Sequence, residues 1–142
     1  MITLKNKRSI HLVVTSAYAP TEMAEDQKRV EFWSLLTTHQ RQIPKRAIRV
    51  LGTDANGHIG LTNPEPVMPH TGTFGATSWN KNGRSLSHFL THSDMAATNT
   101  YRSCHNPSWT WQSSDMKSRT KIDYMCLSST HNHRISQNIG AV

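Results

Sequence analysis

Cysteine is scarce in this chain: Cys104 and Cys126 are the two thiols among 142 residues, too few to staple a disulfide framework. No signal-type apolar stretch follows Met1, and no run is long enough to span a bilayer. An intracellular, reducing location without membrane insertion is therefore expected. Acidic residues are also few. Asp and Glu number 9 against 16 Lys and Arg, and the net charge of +7 with a pI ≈ 9.9 makes a polyanionic partner an expectation without specifying one. The excess runs from Lys5 to Lys121 and is not gathered in a tail. There is no Gly-x-Ser-x-Gly elbow, which removes the support for a serine hydrolase. Gly72-Thr73-Phe74-Gly75 lacks the Lys-Ser/Thr of a nucleotide-binding loop. The length fits one domain, or part of one.

What is present begins with a β-rich apolar run, Ile10 to Ala17, stopped by Tyr18-Ala19-Pro20. Thr21 then offers an N-cap oxygen, and Glu22, Glu25 and Asp26 place negative charge in the first turns of a helix running to about Gln40. Met23, Val30, Trp33 and Leu36 form its apolar stripe, leaving Lys28, Arg29 and Glu31 to solvent. After Pro44, Ala47 to Thr53 returns to strand character. A strand, helix, strand unit of this length predicts two parallel strands, whose carboxyl ends lie at one edge of the sheet. Tyr18, just past the first strand, and Asp54 with Asn56, just past the second, should therefore converge where α/β sheets hold ligands. Asp54-Ala55-Asn56-Gly57 is equally good turn chemistry, so these four residues leave a plain loop open as an alternative.

Leu61 to Asn82 reads as a long Pro-, Gly- and Asn-rich loop able to overhang that edge. Arg84 to Met95 carries Leu86, Phe89 and Leu90 at helical spacing, and Ala96 to Thr100 reads as a short strand. Trp109-Thr110-Trp111 alternates as a strand would, with both indoles on one face and read as core in preference to base-stacking platforms. A charged hairpin-like stretch from Ser114 to Arg119 leads to the strand Lys121 to Leu127, which carries Asp123 in an apolar setting where an acid needs a partner. Cys104-His105 with His131 and His133 fits no familiar zinc spacing.

Taken in order, Tyr18-Ala19-Pro20, Gly52-Thr53-Asp54-Ala55-Asn56-Gly57-His58-Ile59-Gly60, Asn82-Gly83 with Leu86 and Phe89, Asn99-Thr100, Thr110-Trp111 and Ile122-Asp123-Tyr124 resemble the endonuclease/exonuclease/phosphatase superfamily. They are most similar to the apurinic-endonuclease-like nuclease domain of non-LTR retrotransposon polyproteins. The resemblance spans nearly the whole chain. It implies a four-layer α/β/β/α sandwich, of which residues 1–142 form the C-terminal portion, and Mg²⁺-dependent hydrolysis of phosphodiesters. It further implies DNA as substrate, a reverse transcriptase in the same polyprotein as partner, and nuclear action. By the motifs, Tyr18 matches the tyrosine that contacts the scissile phosphate, and Asp54 the aspartate that orients or deprotonates water. Asn56 matches the asparagine that binds a phosphate oxygen, and Asp123 the aspartate that orients the catalytic histidine.

These residue types suit the reaction. A phosphodiester is an anion that resists hydroxide, so the site must offset developing charge while a carboxylate positions water. A carboxamide can donate where a further carboxylate would repel. The family's early strands with an asparagine and a metal-binding glutamate have no counterpart in this sequence, nor has its closing Ser-Asp-His motif. The chain thus reads as a partial domain, expected to expose edge strands and apolar faces. Two further functions stay open: a non-catalytic nucleic-acid-binding remnant, and a small-molecule or lipid phosphoesterase of the same fold.

Overall fold

The computed structural model describes residues 1–5, 10–60, 70–72, 76, 78–101 and 109–129. Most of the expected Leu61–Asn82 loop, along with Cys104-His105, His131 and His133, lies outside them. The described chain is α/β: one five-stranded mixed sheet, two helices and a two-stranded ribbon. No helix among the described residues is long and apolar enough to cross a membrane.

The first long strand forms where the β-branched run predicts it. β1 (Ile2–Lys5) lies antiparallel to β2 (Ile10–Tyr18). Helix α1 (Asp26–Gln42) crosses to β3 (Ile48–Asp54), which pairs parallel with β2 from Leu12↔Ile48 to Tyr18↔Asp54. Helix α2 (Lys81–Ser93) leads into β4 (Met95–Ala97). β5 (Trp111–Gln112) and β6 (Arg119–Thr120) make the ribbon. β7 (Asp123–Ser128) enters the sheet between β3 and β4, antiparallel to both, giving the order β1-β2-β3-β7-β4.

The two-residue period of a strand separates the faces of this sheet. On one face Leu51, Tyr124 and Cys126 are buried with Trp33 and Leu36 of α1 and Leu86, Phe89 and Leu90 of α2 in one core. The other face bears no helix among the described elements, and there Ile2 (67%), Leu4 (56%) and Met125 (51%) stay exposed. The exposed apolar surface expected from the sequence is present.

Several local expectations need correction. α1 begins at Asp26, after a turn closed by Ala24 N donating to Thr21 O, so Thr21 caps nothing. Met23, at 93% exposure, precedes the helix, and Val30 faces water. The buried stripe is Arg29, Trp33, Leu36 and Gln40. Arg29 was expected in solvent; its guanidinium instead folds back onto Glu22 O, Ala24 O and the Asp26 carboxylate, stitching the turn before the helix to its first residues. Such charge-assisted bonds let an arginine occupy a position that hydropathy assigns to solvent. α2 starts three residues before Arg84, and the stretch expected as a strand to Thr100 is strand only to Ala97, followed by a 3₁₀ turn, Thr98–Thr100. The Trp109–Trp111 core reading is overturned: Trp111 is 43% exposed, and the half-buried Trp109 ring carries the Arg119 guanidinium 4.7 Å from its centroid.

Candidate functional site

The carboxyl edge of the sheet assembles the site through register alone. Tyr18 pairs with Asp54 across the parallel ladder, and Asp54 pairs with Asp123 across the antiparallel one. Three neighbouring strands therefore end in one row of tyrosine, aspartate and aspartate. Ala55 N donates to Ile122 O at 2.8 Å, so the next pair along is the hydrogen-bonded one. That makes Asp54 and Asp123 a non-hydrogen-bonded pair, the closer of the two antiparallel spacings. Like charges placed directly opposite cost stability, so folding alone gives no reason for the pair.

The row borders an open cleft of about 500 Å³ on the face without helices, shared with Ser16, Asn99, Thr110 and Met125. Asp123 is half-buried at the mouth of this cleft, not enclosed in apolar surroundings as its strand suggested. Backbone partners hold its strand: Thr110 Oγ1 accepts from Ile122 N and Asp123 N at 3.0 and 3.1 Å, and Asn99 Nδ2 donates to Asp123 O at 2.9 Å. Asn99 Oδ1 accepts from Met125 N at 3.3 Å, and its own carbonyl is held by the buried Lys121 Nζ at 2.8 Å. Tyr18 is 67% exposed beside the cleft.

Asn56 sits differently. Its backbone is left-handed at φ 43°, a region asparagine tolerates, and its N–H donates to Asp54 Oδ1 at 2.9 Å. The turn reading and the site reading of Asp54-Ala55-Asn56 are thus one structure, a strand end closed by its own aspartate. Asn56 Nδ2 donates to Ala19 O at 2.8 Å and Asn56 is absent from the cleft lining, so its carboxamide fixes the Tyr18-Ala19-Pro20 segment. Ala19 N returns a bond to Asp54 O at 2.9 Å.

The start of α2 clamps this loop, a feature that motif reading did not assign to the site. Asn80 caps the helix by accepting from Gly83 N at 2.7 Å, and the same oxygen accepts from His58 N at 3.0 Å. Asn82 is fully buried: its amide donates to Pro20 O at 2.7 Å and Asn56 O at 3.4 Å, and its oxygen accepts from Trp33 Nε1 at 3.1 Å. The Glu22 carboxylate accepts from Lys81 N at 3.1 Å, where a helix start favours negative charge. Loop and helix touch through glycines. A Cβ on Gly83 would lie 2.1 Å from His58 O, and one on Gly57 would lie 2.7 Å from the Asn82 backbone. Asn-x-Asn-Gly after a loop is a readable N-cap signal, but nothing in its spacing shows what the second asparagine holds.

Behind the row, Tyr124 hydroxyl donates to Lys121 O and accepts from Ile59 N, both at 3.1 Å, joining the chain after β3 to the chain before β7. Burial pushes its phenol upward, which keeps it protonated and donating. Among the described residues no group of three or more His, Cys, Asp and Glu is arranged to hold a metal. The two carboxylates still offer oxygen donors of the kind Mg²⁺ takes, a cation that commonly uses one or two carboxylates with water and substrate phosphate. No protein-family model and no curated protein matches this chain.

Proposed function

We propose that this chain is part of a Mg²⁺-dependent phosphodiester hydrolase of the endonuclease/exonuclease/phosphatase type, a DNA-nicking domain of non-LTR retrotransposon origin. The observation that carries the reading is the single register row of Tyr18, Asp54 and Asp123 at the mouth of a cleft. On this reading the described sheet and its two helices are one half of the four-layer sandwich, and the open apolar face is the surface its second sheet would cover.

Each residue then has a task. Tyr18 hydroxyl donates to a non-bridging phosphate oxygen. One oxygen of Asp54 is fixed by Asn56 N, so the carboxylate is oriented before substrate arrives, and its other oxygen orients the attacking water and accepts its proton. Asp123, anchored through Thr110 and Asn99, supplies the second carboxylate of the edge. Asp123, together with water and substrate phosphate, would hold Mg²⁺, which when bound offsets the negative charge that develops on the phosphoryl oxygens. Asn56 acts one step back, through Ala19, in place of a direct phosphate contact.

A nicking assay on supercoiled plasmid tests the proposal. In the protein that completes this domain, open circles should form with Mg²⁺ and not with chelator, and Asp54→Asn should lower the rate by about 10²- to 10⁴-fold, the worth of a positioned base. The commitment of the Asn56 carboxamide to Ala19 favours one second reading, a non-catalytic nucleic-acid-binding remnant. Binding without nicking, at an affinity unchanged in Asp54→Ala, would select that remnant. A chain that neither nicks nor binds DNA but cleaves a small phosphodiester would move the substrate class and keep the chemistry.

A further inference from the structure

A second feature lies in the helical layer, away from the sheet face that bears the cleft. Between α1 and α2 runs a groove of about 460 Å³. Its walls carry Ser34, Thr38 and Arg41 from α1 and Ser85, His88 and His92 from α2. One of these is a permanent cation, two become cationic on protonation, and none is acidic. The other charged or titratable groups of the two helices stand outside the lining: Asp26, Lys28, Arg29, Glu31 and His39 on α1, and Lys81 and Arg84 on α2, with Asp94 just past its end. The Arg49 guanidinium of β3 reaches the same helix ends at Gln40 O, Ser93 O and Asp94 O. Among the described residues no carboxylate lies within ion-pair distance of Arg41, His88 or His92.

The two imidazoles are one helical turn apart, with ring centroids 6.3 Å from each other. His92 Nδ1 lies 2.8 Å from His88 O. A carbonyl only accepts, so Nδ1 carries the hydrogen and Nε2 is left for the groove. Neutral, that nitrogen accepts; protonated, it donates. Opposite stands a guanidinium, whose planar fork matches the oxygens of a phosphate. The Ser85 and Thr37 hydroxyls are spent on Lys81 O and Trp33 O, at 3.2 and 2.7 Å.

We propose that this groove is an anion-binding site for a phosphate group, clamped between Arg41 on one helix and His88 with His92 on the other. The site is independent of the carboxylate row and of the reaction assigned to it. Its ligand is a phosphate monoester or a phosphodiester. Two histidines at this spacing can also grip a transition metal. Arg41 in the same groove opposes a cation.

The test is a titration of the full chain with inorganic phosphate, reading imidazole signals by NMR. His88 and His92 signals should move while His39 stays still. Arg41→Gln should weaken binding about tenfold, the lower end for losing a charge-assisted bond at an exposed site. Asp54→Asn should leave it unchanged, which separates this site from the cleft. The double variant His88→Gln/His92→Gln replaces exposed side chains, so retained far-UV dichroism together with lost binding would support the site. Phosphate that leaves both signals unmoved, wild-type affinity in Arg41→Gln, or a response to Ni²⁺ alone would overturn it. Displacement of phosphate by an oligonucleotide only when it bears a terminal phosphate assigns a monoester; displacement with or without that group assigns the diester backbone.

Discussion

The two faces of the five-stranded sheet solve different problems with alternate residues of the same strands. In β3, Arg49, Leu51 and Thr53 are buried toward the helices, while Val50, Gly52 and Asp54 face the open side. In β7, Tyr124 and Cys126 go inward, and Asp123 and Met125 go outward. The helix-covered face holds the core, and the open face presents two carboxylates set against each other, of which Asp54 also closes its own strand end. Stability and chemistry are therefore separable by parity of position, and substitutions can test that separation.

The largest effect is expected on the covered face. Phe89, fully enclosed and 5.7 Å from the Trp33 ring, should cost about 4 kcal/mol when cut to alanine, whereas Ile2→Ala on the open face should stay within about 0.5 kcal/mol, both read by urea denaturation. Arg49 comes next. Its guanidinium donates to Gln40 O at 3.3 Å, Ser93 O at 2.7 Å and Asp94 O at 3.1 Å, tying the C-terminal ends of both helices to the sheet. Arg49→Met should cost about 3 kcal/mol, because three carbonyls lose their partner in a buried setting. A loss under 1 kcal/mol in the same denaturation would mean water replaces them.

Asn82→Ala should destabilise by about 2 kcal/mol through the unpaired Trp33 indole and the freed Pro20 and Asn56 carbonyls. It should also lower nicking more than the small stability loss explains, since the clamp orients Asp54. Equal nicking at full folding would show that the row needs no clamp. Asp123→Asn should move stability the other way, raising it by about 0.5 kcal/mol in thermal unfolding as the facing like charge is removed, while nicking is abolished. Smallest near neutral pH is the effect of Cys126, whose thiol burial pushes up from 9.0 to about 12. The unfolded thiol ionises first, so stability is full below pH 9 and falls as pH rises from there toward 12. Cys126→Val should flatten that alkaline loss.

Much of this was legible along the chain. β-rich apolar runs and the flanking prolines marked β2 and β3, the crossover made them parallel, and parallel strands brought Tyr18 beside Asp54. Asp123 stood out as an acid in an apolar strand that needs a partner, but its pairing with Asp54 depends on β7 entering the middle of the sheet, a long-range choice that no local pattern encodes. Arg29 misled because hydropathy sends a guanidinium to water, yet it buries its head against backbone carbonyls whose position only the folded chain defines; Arg49 does the same on β3. The same holds for Asn82, whose partners come from residues 20, 33 and 56.

The placement of β7 also sets an order of events during synthesis. β3 and β4 do not pair with each other in the finished sheet; each pairs with β7. Until Asp123–Ser128 has emerged, a growing chain therefore carries unpaired edges on both strands, and hydrogen-bonding groups there are free to seek neighbours. The strand that closes this gap is the one that delivers the second carboxylate, so the sheet and its acidic row are completed in a single step.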